Sequence, residues 1–221
     1  MGEKSIDYTE LYSIQDGVLN IVAGLDNSFY LTGGTALHRF YFNARYSNDL
    51  DFFVSSGNNF KEDIDEISYS LKDAGYVVED KVKTRDFYRF LVNDILQIDF
   101  VNDRVFRYGK SVLIDGIRVD NKLNILTNKI GAIIGRDEEK DFFDIMCFAF
   151  FEDFNWGEVL EIANKKAVVE KDIFIYRITS FPLQWLGKIK RLMDFEITKK
   201  HVEVLCEDVL NERDNTLKVI G

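Results

Sequence analysis

The sequence predicts an α+β fold in which a small mixed β-sheet with flanking helices is followed by a helical C-terminal part. Short strand-like runs alternate with amphipathic helical patterns up to about residue 118. Beyond that point the apolar residues recur only at helical spacing, and the chain has no internal repeat or low-complexity tract. We therefore expect two parts, residues 1–118 and 119–221. No proline-rich linker joins them, because Pro182 is the only proline.

The first part begins with a helix over residues 8–24, where apolar residues recur every three or four positions. Gly33-Gly34 ends a short strand, and Gly75 ends a later helix, as glycine commonly does. Asn93-Asp94 predicts a tight hairpin turn between two strands. In chain order we expect a helix at 8–24, a strand at 27–31, a helix at 35–43, a strand at 50–54, a helix at 60–74, and strands at 76–82, 87–92, 95–101 and 111–119.

The second part has helical apolar stripes throughout. We expect helices at residues 121–136, 140–151, 156–166, about 172–194 and 198–211. The run "KDFFDIMCFAFF" is apolar enough to predict a buried helix. The second part is expected to complete the ligand site of the first.

Composition narrows the functional classes. The chain has 221 residues and a net charge of −10, which argues against broad, sequence-independent binding of nucleic acid. No apolar run is long enough to cross a bilayer, so we expect no membrane partner. The N-terminus lacks the apolar stretch of a signal peptide, and Cys147 and Cys206 are the only cysteines. These features predict a cytoplasmic protein.

Two carboxylates occupy alternate positions where a buried strand begins. In a strand, residues i and i+2 point to the same side, so Asp49 and Asp51 project together while Leu50 faces the core. Two adjacent ionised carboxylates repel each other unless a cation lies between them. Mg²⁺ (or Mn²⁺) takes carboxylate oxygens together with substrate phosphates. The pattern therefore predicts a metal site for phosphoryl transfer.

A third carboxylate is available on a later strand. Asp99 alternates with apolar neighbours in "ILQIDFV", and a charge there is costly unless it is paired or bound to metal. We expect Asp99 to join Asp49 and Asp51, since three carboxylates can hold two metal ions. Gly33-Gly34-Thr35 precedes a helix, and its backbone N–H groups and the Thr35 hydroxyl are expected to hold phosphate oxygens.

Together these residues resemble a known motif. The first block consists of Gly33, Gly34, Thr35, Ala36 and Leu37, followed by Arg45, Ser47, Asp49, Leu50 and Asp51. The second block consists of Lys129, Ala132, Arg136, Lys140, Asp141 and Asp144 in "KIGAIIGRDEEKDFFDI". Both blocks, in this order, resemble the AbiEii/AbiGii toxin family, which includes MenT-like proteins. That family lies within the nucleotidyltransferase superfamily of DNA polymerase β.

The resemblance implies a metal-dependent enzyme that transfers a nucleoside monophosphate from an NTP and releases pyrophosphate. Asp49 and Asp51 would bind metal, and Lys129 would reach the triphosphate. Asp144 would contact the nucleotide or help to order the site, and Arg136 would brace the site or a phosphate. The related MenT-type toxins act on the 3′ end of tRNA. The resemblance thus implies a toxin acting on tRNA, with a cognate antitoxin as partner.

Several alternatives remain open from the residues themselves. Arg136 or Lys129 could instead pair internally with Asp141 or Asp144, and Asp141 suits a structural role at a helix start. Arg45 and Ser47 either orient the loop before Asp49 or contact ligand. The basic residues that could receive an RNA backbone fall into two clusters: Lys81, Lys83, Arg85 and Arg89, and Lys188, Lys190, Arg191, Lys199 and Lys200.

Two other functions compete with the tRNA hypothesis. One is a small-molecule nucleotidyltransferase of the antibiotic-modifying type, and the other is an NTP-binding protein without turnover. The two histidines, His38 and His201, are too few and too far apart in sequence for a histidine metal site. We expect His38 to be a surface or packing residue.

Overall fold

The computed structural model describes residues 6–55, 57 and 59–218, and within these residues seven strands form one sheet. The strands are β1 (Tyr30–Thr32), β2 (Asp49–Ser55), β3 (Val78–Lys83), β4 (Phe87–Val92), β5 (Leu96–Asp103), β6 (Val112–Ile114) and β7 (Ile117–Val119). Their order is β3-β4-β5-β2-β1-β7-β6. The β2–β5 and β1–β7 pairs are parallel and the other neighbours are antiparallel, which confirms a mixed sheet.

Eight α-helices are present in the described part of the chain. They are α1 (Tyr8–Gly24), α2 (Gly33–Leu37), α3 (Phe60–Asp73), α4 (Lys122–Gly135), α5 (Glu139–Phe151), α6 (Trp156–Lys166), α7 (Lys171–Ser180) and α8 (Lys199–Leu210). A short π-helix at His38–Phe42 continues α2, and a 3₁₀ helix occupies Leu183–Lys188. Helices follow the sheet along the chain, as the sequence predicts.

The chain divides into two compact units that are not continuous in sequence. The sheet unit comprises the chain up to Ala36, Ser47–Val105 and Ser111–Asp120. The helical unit comprises Leu37–Tyr46, Phe106–Lys110 and the chain from Asn121 onward. The helical unit thus includes two short segments that precede residue 118. The domain boundary expected at residue 118 stays a prediction.

Aromatic rings fill the core of the sheet unit. Phe100, which is fully buried, lies 5.1 Å from Phe29, 5.4 Å from Phe52 and 5.5 Å from Phe90 between ring centroids. Helix α1 packs on β5, β7 and α3, so it covers this cluster. Burial of the apolar surface of these rings is the main contribution to the stability of the sheet unit. The packed aromatic cluster therefore fixes β2 and β5, whose alternate residues include polar side chains on the opposite face of the sheet.

The helical unit has a second apolar centre around α5. Every residue of α5 from Asp141 to Phe150 is buried, which confirms the predicted buried helix. The rings of Phe142 and Phe181 stack with centroids 4.1 Å apart, and Phe143 stacks on Phe195 at 5.6 Å. Within the described ranges, no helix combines the length and apolar character needed to span a membrane.

Two sequence predictions are wrong for identifiable reasons. Residues 111–119 form a hairpin rather than one strand, because Asp115 and Gly116 both have positive φ (50° and 80°), as tight two-residue hairpin turns require. The helix predicted to run to 194 ends at Ser180, because Pro182 restricts the residue before it and cannot donate to the helix.

The hairpin turn at Asn93-Asp94 is present, and both residues have positive φ (52° and 58°). The loop also takes in Ile95, whose N–H donates to the Val92 carbonyl, so Val92 pairs with Leu96. This extra residue sets the register between β4 and β5.

Candidate active site

The turn between β1 and α2 lies against the β2 carboxylates. Gly33 has φ of +70°, and a Cβ built on it would lie 2.4 Å from Asp51 Oδ2. Real Cβ atoms essentially never approach another atom so closely. Any residue with a side chain at position 33 would therefore collide with the Asp51 carboxylate, and the position requires glycine. Gly34 is buried beside it.

Thr35 connects this turn to β2. Its side chain is fully buried, and its hydroxyl donates a hydrogen bond to the carbonyl of Asp49. We therefore assign Thr35 the role of holding the backbone that carries Asp49. The phosphate contact expected from sequence would require this hydroxyl to leave its acceptor.

Asp49 and Asp51 share one face of β2. Along the strand, half-buried positions alternate with buried ones, and both aspartates occupy half-buried positions while Leu50 is fully buried. This alternation is the arrangement that the sequence predicts for a pair of carboxylates facing away from the core.

The chain entering β2 is anchored to α1. Ser47 is buried, its N–H donates to the Tyr12 hydroxyl at 3.1 Å, and its carbonyl accepts from Gln15 Nε2 at 3.1 Å. Ser47 Oγ lies 3.5 Å from Asp49 Oδ1, at the limit of a hydrogen bond. Ser47 thus orients the loop, which is one of the two roles left open by the sequence. Sequence reasoning missed Gln15, although a polar residue on an apolar helical stripe was a usable signal.

Asp99 does not join a metal cluster. Arg89 Nε and Nη2 donate to its two carboxylate oxygens at 2.7 and 2.6 Å, and Gln97 Nε2 lies 3.4 Å from Oδ2. Across the described ranges, no three acidic, histidine or cysteine side chains converge to hold a metal ion. The structure therefore does not show the expected triad of Asp49, Asp51 and Asp99, because Arg89 holds both oxygens of the third carboxylate.

The remaining pair still suits one divalent cation. Asp49 and Asp51 supply carboxylate oxygens on one face, and Mg²⁺ commonly takes one or two carboxylates with substrate phosphates completing its shell. Because Gly33 has no Cβ, its backbone lies close to Asp51 Oδ2. A two-metal, three-carboxylate set does not fit the residues present.

A cluster of buried charges organises the helical unit. Asp144 is fully buried and accepts hydrogen bonds from Arg45 Nε and Nη2 at 2.8 Å each. His38 Nε2 lies 2.8 Å from Asp144 Oδ1, and Lys129 Nζ lies 2.8 Å from Oδ2. Lys129 also reaches Asp141 at 2.8 Å. Both carboxylate oxygens of Asp144 are therefore engaged inside the protein.

These contacts set the protonation states. Burial favours a higher pKa for Asp144, but Arg45 and Lys129 outweigh it and hold the pKa well below its usual range. Burial likewise favours a lower pKa for Lys129, yet Asp144 and Asp141 raise it. For His38 burial prevails over the attraction of Asp144 and lowers the pKa, so the ring is neutral and Nε2 carries the proton given to Asp144.

Three residues of this buried cluster had roles predicted from the sequence. Lys129 is only 8% exposed, and the predicted triphosphate contact would require its ammonium to leave two carboxylates. Asp144 is inaccessible to a nucleotide, which favours the ordering role over direct contact. Of the surface and packing roles expected for His38, the packing role is confirmed, because its ring is buried 6.1 Å from that of Phe143 between centroids, and it also hydrogen-bonds to Asp144.

Arg45 is buried and Arg136 is exposed, and each pairs with a buried carboxylate of the helical unit. Arg45 is 2% exposed, and its backbone bridges to Arg191 while the Tyr46 N–H donates to the Lys190 carbonyl at 3.0 Å. Arg45 therefore anchors the segment that leads to Asp49. Arg136 Nε donates to Asp141 at 2.7 Å, which matches the internal brace considered from sequence.

Comparison with known proteins identifies the family. The family model described as "Nucleotidyl transferase AbiEii toxin, Type IV TA system" matches residues 19–212. The chain belongs to the AbiEii nucleotidyltransferase toxin family. An uncharacterized protein of Aquifex aeolicus (strain VF5) is 27% identical over 186 residues, covering 81% of this chain and 79% of its own.

Solved structures support the same fold for this AbiEii family member. A candidate nucleotidyltransferase from Helicobacter pylori has a TM-score of 0.63 at 19% identity, covering 94% of this chain and 98% of its own. MenT4, a nucleotidyltransferase toxin from Mycobacterium tuberculosis H37Rv, has a TM-score of 0.59 at 14% identity, covering 90% and 82%. At these identities the likeness establishes the fold, and the family match establishes a nucleotidyltransferase.

The Gly33 turn gives a first prediction. Gly33→Ala should reduce nucleotidyl transfer about 100-fold, because the new Cβ displaces the Asp51 carboxylate and small misplacements in active sites cost that much. The left-handed φ should cost only about 1–2 kcal/mol of stability. Gly131→Ala, where nothing lies within 4 Å of the new Cβ, is the matched control. Full activity of Gly33→Ala, measured beside its thermal unfolding, would contradict this role.

The buried cluster gives a second prediction. Asp144→Asn should lower the free energy of unfolding by about 3–5 kcal/mol, because Arg45 and Lys129 stay buried without their main partner. Since the folded pKa of Asp144 is lowered, its contribution is present above the unfolded pKa and disappears as pH falls through the folded value, starting near pH 4.

Urea titrations between pH 3 and pH 7 measure both effects, and the variant should lack the acid-dependent step that Asp144 produces. Asp153→Asn, at a side chain 91% exposed, is the control and should leave the unfolding midpoint unchanged. A loss below about 1 kcal/mol for Asp144→Asn, the range of exposed ion pairs, would contradict the assignment.

Proposed function

We propose that this nucleotidyltransferase is metal-dependent, transfers a nucleoside monophosphate from an NTP to the 3′ end of tRNA, and acts as the toxin of a toxin–antitoxin or phage-defence pair. The observation that carries the reaction class is the Gly33 backbone packed against Asp51, with Asp49 on the same strand face. In this assignment Asp49 and Asp51 bind Mg²⁺ or Mn²⁺, and the backbone of Gly33 and Gly34 contacts phosphate.

The chemistry is a displacement at phosphorus. The acceptor hydroxyl oxygen bonds to the α-phosphorus, the bond to the β-phosphate oxygen breaks, pyrophosphate leaves with that electron pair, and the hydroxyl proton passes to solvent. A bound divalent cation neutralises charge on the phosphates. Thr35 and Ser47 hold the backbone on either side of Asp49, and Arg45, Lys129 and Asp144 order the preceding segment.

A charge-segregated segment supports an RNA acceptor. The 21 residues from Ile173 to Met193 contain four cations and no Asp or Glu, although the whole chain has a net charge of −10. Lys188 Nζ lies 5.0 Å from the Trp185 ring centroid, and Lys190 Nζ lies 5.2 Å from that of Tyr46. Half-buried aromatic faces beside cations are how proteins bind unpaired nucleotides, by stacking and phosphate attraction.

The other basic cluster is less suited to RNA. Lys81 pairs with Glu79 at 2.6 Å and Lys83 pairs with Asp80 at 2.8 Å. Since local carboxylates already balance these lysines, the field they present to a phosphate backbone is weak. The segment that contains Trp185 and Lys188 is therefore the better candidate.

The family description supports an antitoxin partner, and the state of the two cysteines supports a cytoplasmic location. A family described as a toxin of a toxin–antitoxin system supports a cognate antitoxin as partner. Cys147 and Cys206 are both free and buried, which suits a reducing cytoplasm.

The deciding experiment labels the acceptor. Purified protein is incubated with Mg²⁺, total RNA and each α-³²P-labelled NTP in turn, beside Asp49→Ala/Asp51→Ala. We expect label in a tRNA-sized band that depends on Mg²⁺ and is absent from the variant. The matched control is Asp65→Ala/Asp73→Ala, which removes two exposed carboxylates from α3 and should keep full activity.

Other outcomes redirect the assignment. Label in another RNA class would contradict tRNA as acceptor, and label in small molecules alone would favour an antibiotic-modifying type of enzyme. Binding of NTP without any labelled product would favour a protein without turnover.

The acceptor surface can be tested separately. Lys188→Glu/Lys190→Glu should raise the KM for RNA at least about tenfold, because two phosphate attractions become repulsions, and leave the KM for NTP unchanged. Lys61→Glu/Lys72→Glu, at exposed positions of α3, makes the same charge change elsewhere. Equal effects of the two double variants would show a general charge effect and would contradict a specific surface.

A further inference from the structure

Arg89 lies in a row of aligned residues that crosses four strands of the sheet. Arg89 on β4 is opposite Asp99 on β5, Asp99 is opposite Asp51 on β2, and Asp51 is opposite Thr32 on β1. Residues directly opposite on neighbouring strands project to the same face, about 4.8 Å apart per strand. Arg89 and Asp99 are thus on the face that carries the proposed metal carboxylate Asp51.

The Arg89–Asp99 contact is bidentate and leaves part of the guanidinium available. Nε and Nη2 each hold one oxygen of Asp99, and the guanidinium carbon lies 5.4 Å from the Phe87 ring centroid. Among the described residues, none accepts a hydrogen bond from Nη1, and the side chain is 37% exposed. Arginine presents its donors as a rigid fork, so an arginine gripped on one edge can still donate from the other.

The charges of the face are balanced by one divalent cation. Asp49, Asp51 and Asp99 together with Arg89 carry a formal charge of −2. The hydrogen bond to Asp99 and the nearby charges of Asp51 and Asp49 raise the pKa of Arg89 further, so it stays cationic at every working pH. A second metal ion at Asp99 would have to displace the guanidinium from both oxygens and would be repelled by it.

We propose that Arg89, held in place by Asp99, contacts the triphosphate of the bound nucleotide and supplies the positive charge that a second metal ion would supply at a three-carboxylate site. This inference rests on the proposed function, in which Asp49 and Asp51 bind one cation. Arg89 gives or takes no proton in the reaction. Asp99 is a positioning residue for Arg89 and is not a metal ligand.

The first test counts metal ions without any turnover. Mn²⁺ is titrated into the protein with an NTP analogue whose α–β bridge cannot be cleaved, and free Mn²⁺ is measured by electron paramagnetic resonance. The analogue alone supplies the background. We expect one protein-dependent Mn²⁺ per chain, the same number in Asp99→Asn, and none in Asp49→Asn/Asp51→Asn. Two ions, with one lost in Asp99→Asn, would overturn the inference while leaving the proposed reaction intact.

The second test measures the affinity for nucleotide in the absence of RNA. Arg89→Ala should weaken binding of the Mn²⁺–NTP analogue by about tenfold to 100-fold, as loss of charged hydrogen bonds does. Arg89→Ala should change the affinity for the matching nucleoside monophosphate much less, and Arg89→Lys should restore part of the loss. Arg104→Ala, which breaks an exposed 2.8 Å pair with Asp86 on the same unit, is the control.

The results separate the two hypotheses. Unchanged triphosphate affinity in Arg89→Ala, with the far-ultraviolet circular dichroism of the wild type, would overturn the contact of Arg89 with phosphate. Equal losses for mono- and triphosphate would also overturn it. If the wild-type protein bound neither Mn²⁺ nor the analogue, the proposed function would fail, and this inference would fail with it.

Discussion

A Cβ at position 33 would lie 2.4 Å from Asp51 Oδ2, so the Asp51 carboxylate can lie where it does only because Gly33 has no side chain. Other contacts hold the backbone near these residues. Thr35 follows two residues later and donates to the Asp49 carbonyl, and Gln15 and Ser47 hold the chain just before Asp49. The two aspartates are therefore oriented by backbone ties on both sides. Both side chains lie at half-buried positions of the strand.

The helical unit is organised by a different constraint, which is the high cost of removing charges from water. Each buried ion costs several kcal/mol unless well-oriented partners compensate. Asp144 meets this condition with Arg45, His38 and Lys129, and Asp141 meets it with Lys129 and Arg136. The second sequence block, from Lys129 to Asp144, thus consists largely of residues that satisfy one another. Arg45, which pairs with Asp144 of this block, lies four residues before Asp49 in the chain.

Local patterns in the sequence were sufficient for some features and insufficient for others. Alternation in "NDLDFF" places Asp49 and Asp51 on one face because a strand has a period of two residues, and that needs no knowledge of neighbours. Most of the other strands and helices also follow from periodicity, with the exceptions at 111–119 and 172–194. Asp99 was placed on the correct strand, but its partner depends on register, which periodicity does not specify.

The register between β4 and β5 depends on the length of the loop that joins them. A two-residue turn at Asn93-Asp94 would place Arg89 opposite Ile98. The actual loop contains Ile95 as well, which moves Arg89 opposite Asp99 and creates the ion pair. Likewise, His38 and Gln15 acquire their roles from contacts 106 and 32 residues away in sequence, so no local pattern could have identified those partners. The fold could be read from local signals, whereas the electrostatic partners could not.

The long separation between Arg45 and Asp144 also has a consequence during protein synthesis. The two residues are 99 positions apart, and ribosomes add about 5–20 residues per second, so Arg45 waits roughly 5–20 s for its partner. Until α5 has left the ribosome, the Arg45 side chain lacks the carboxylate that holds it. The contacts of Arg45 with Asp144 therefore form only after α5 has been made, whereas the contacts of Thr35, Ser47 and Gln15 around Asp49 involve residues that have already been synthesised.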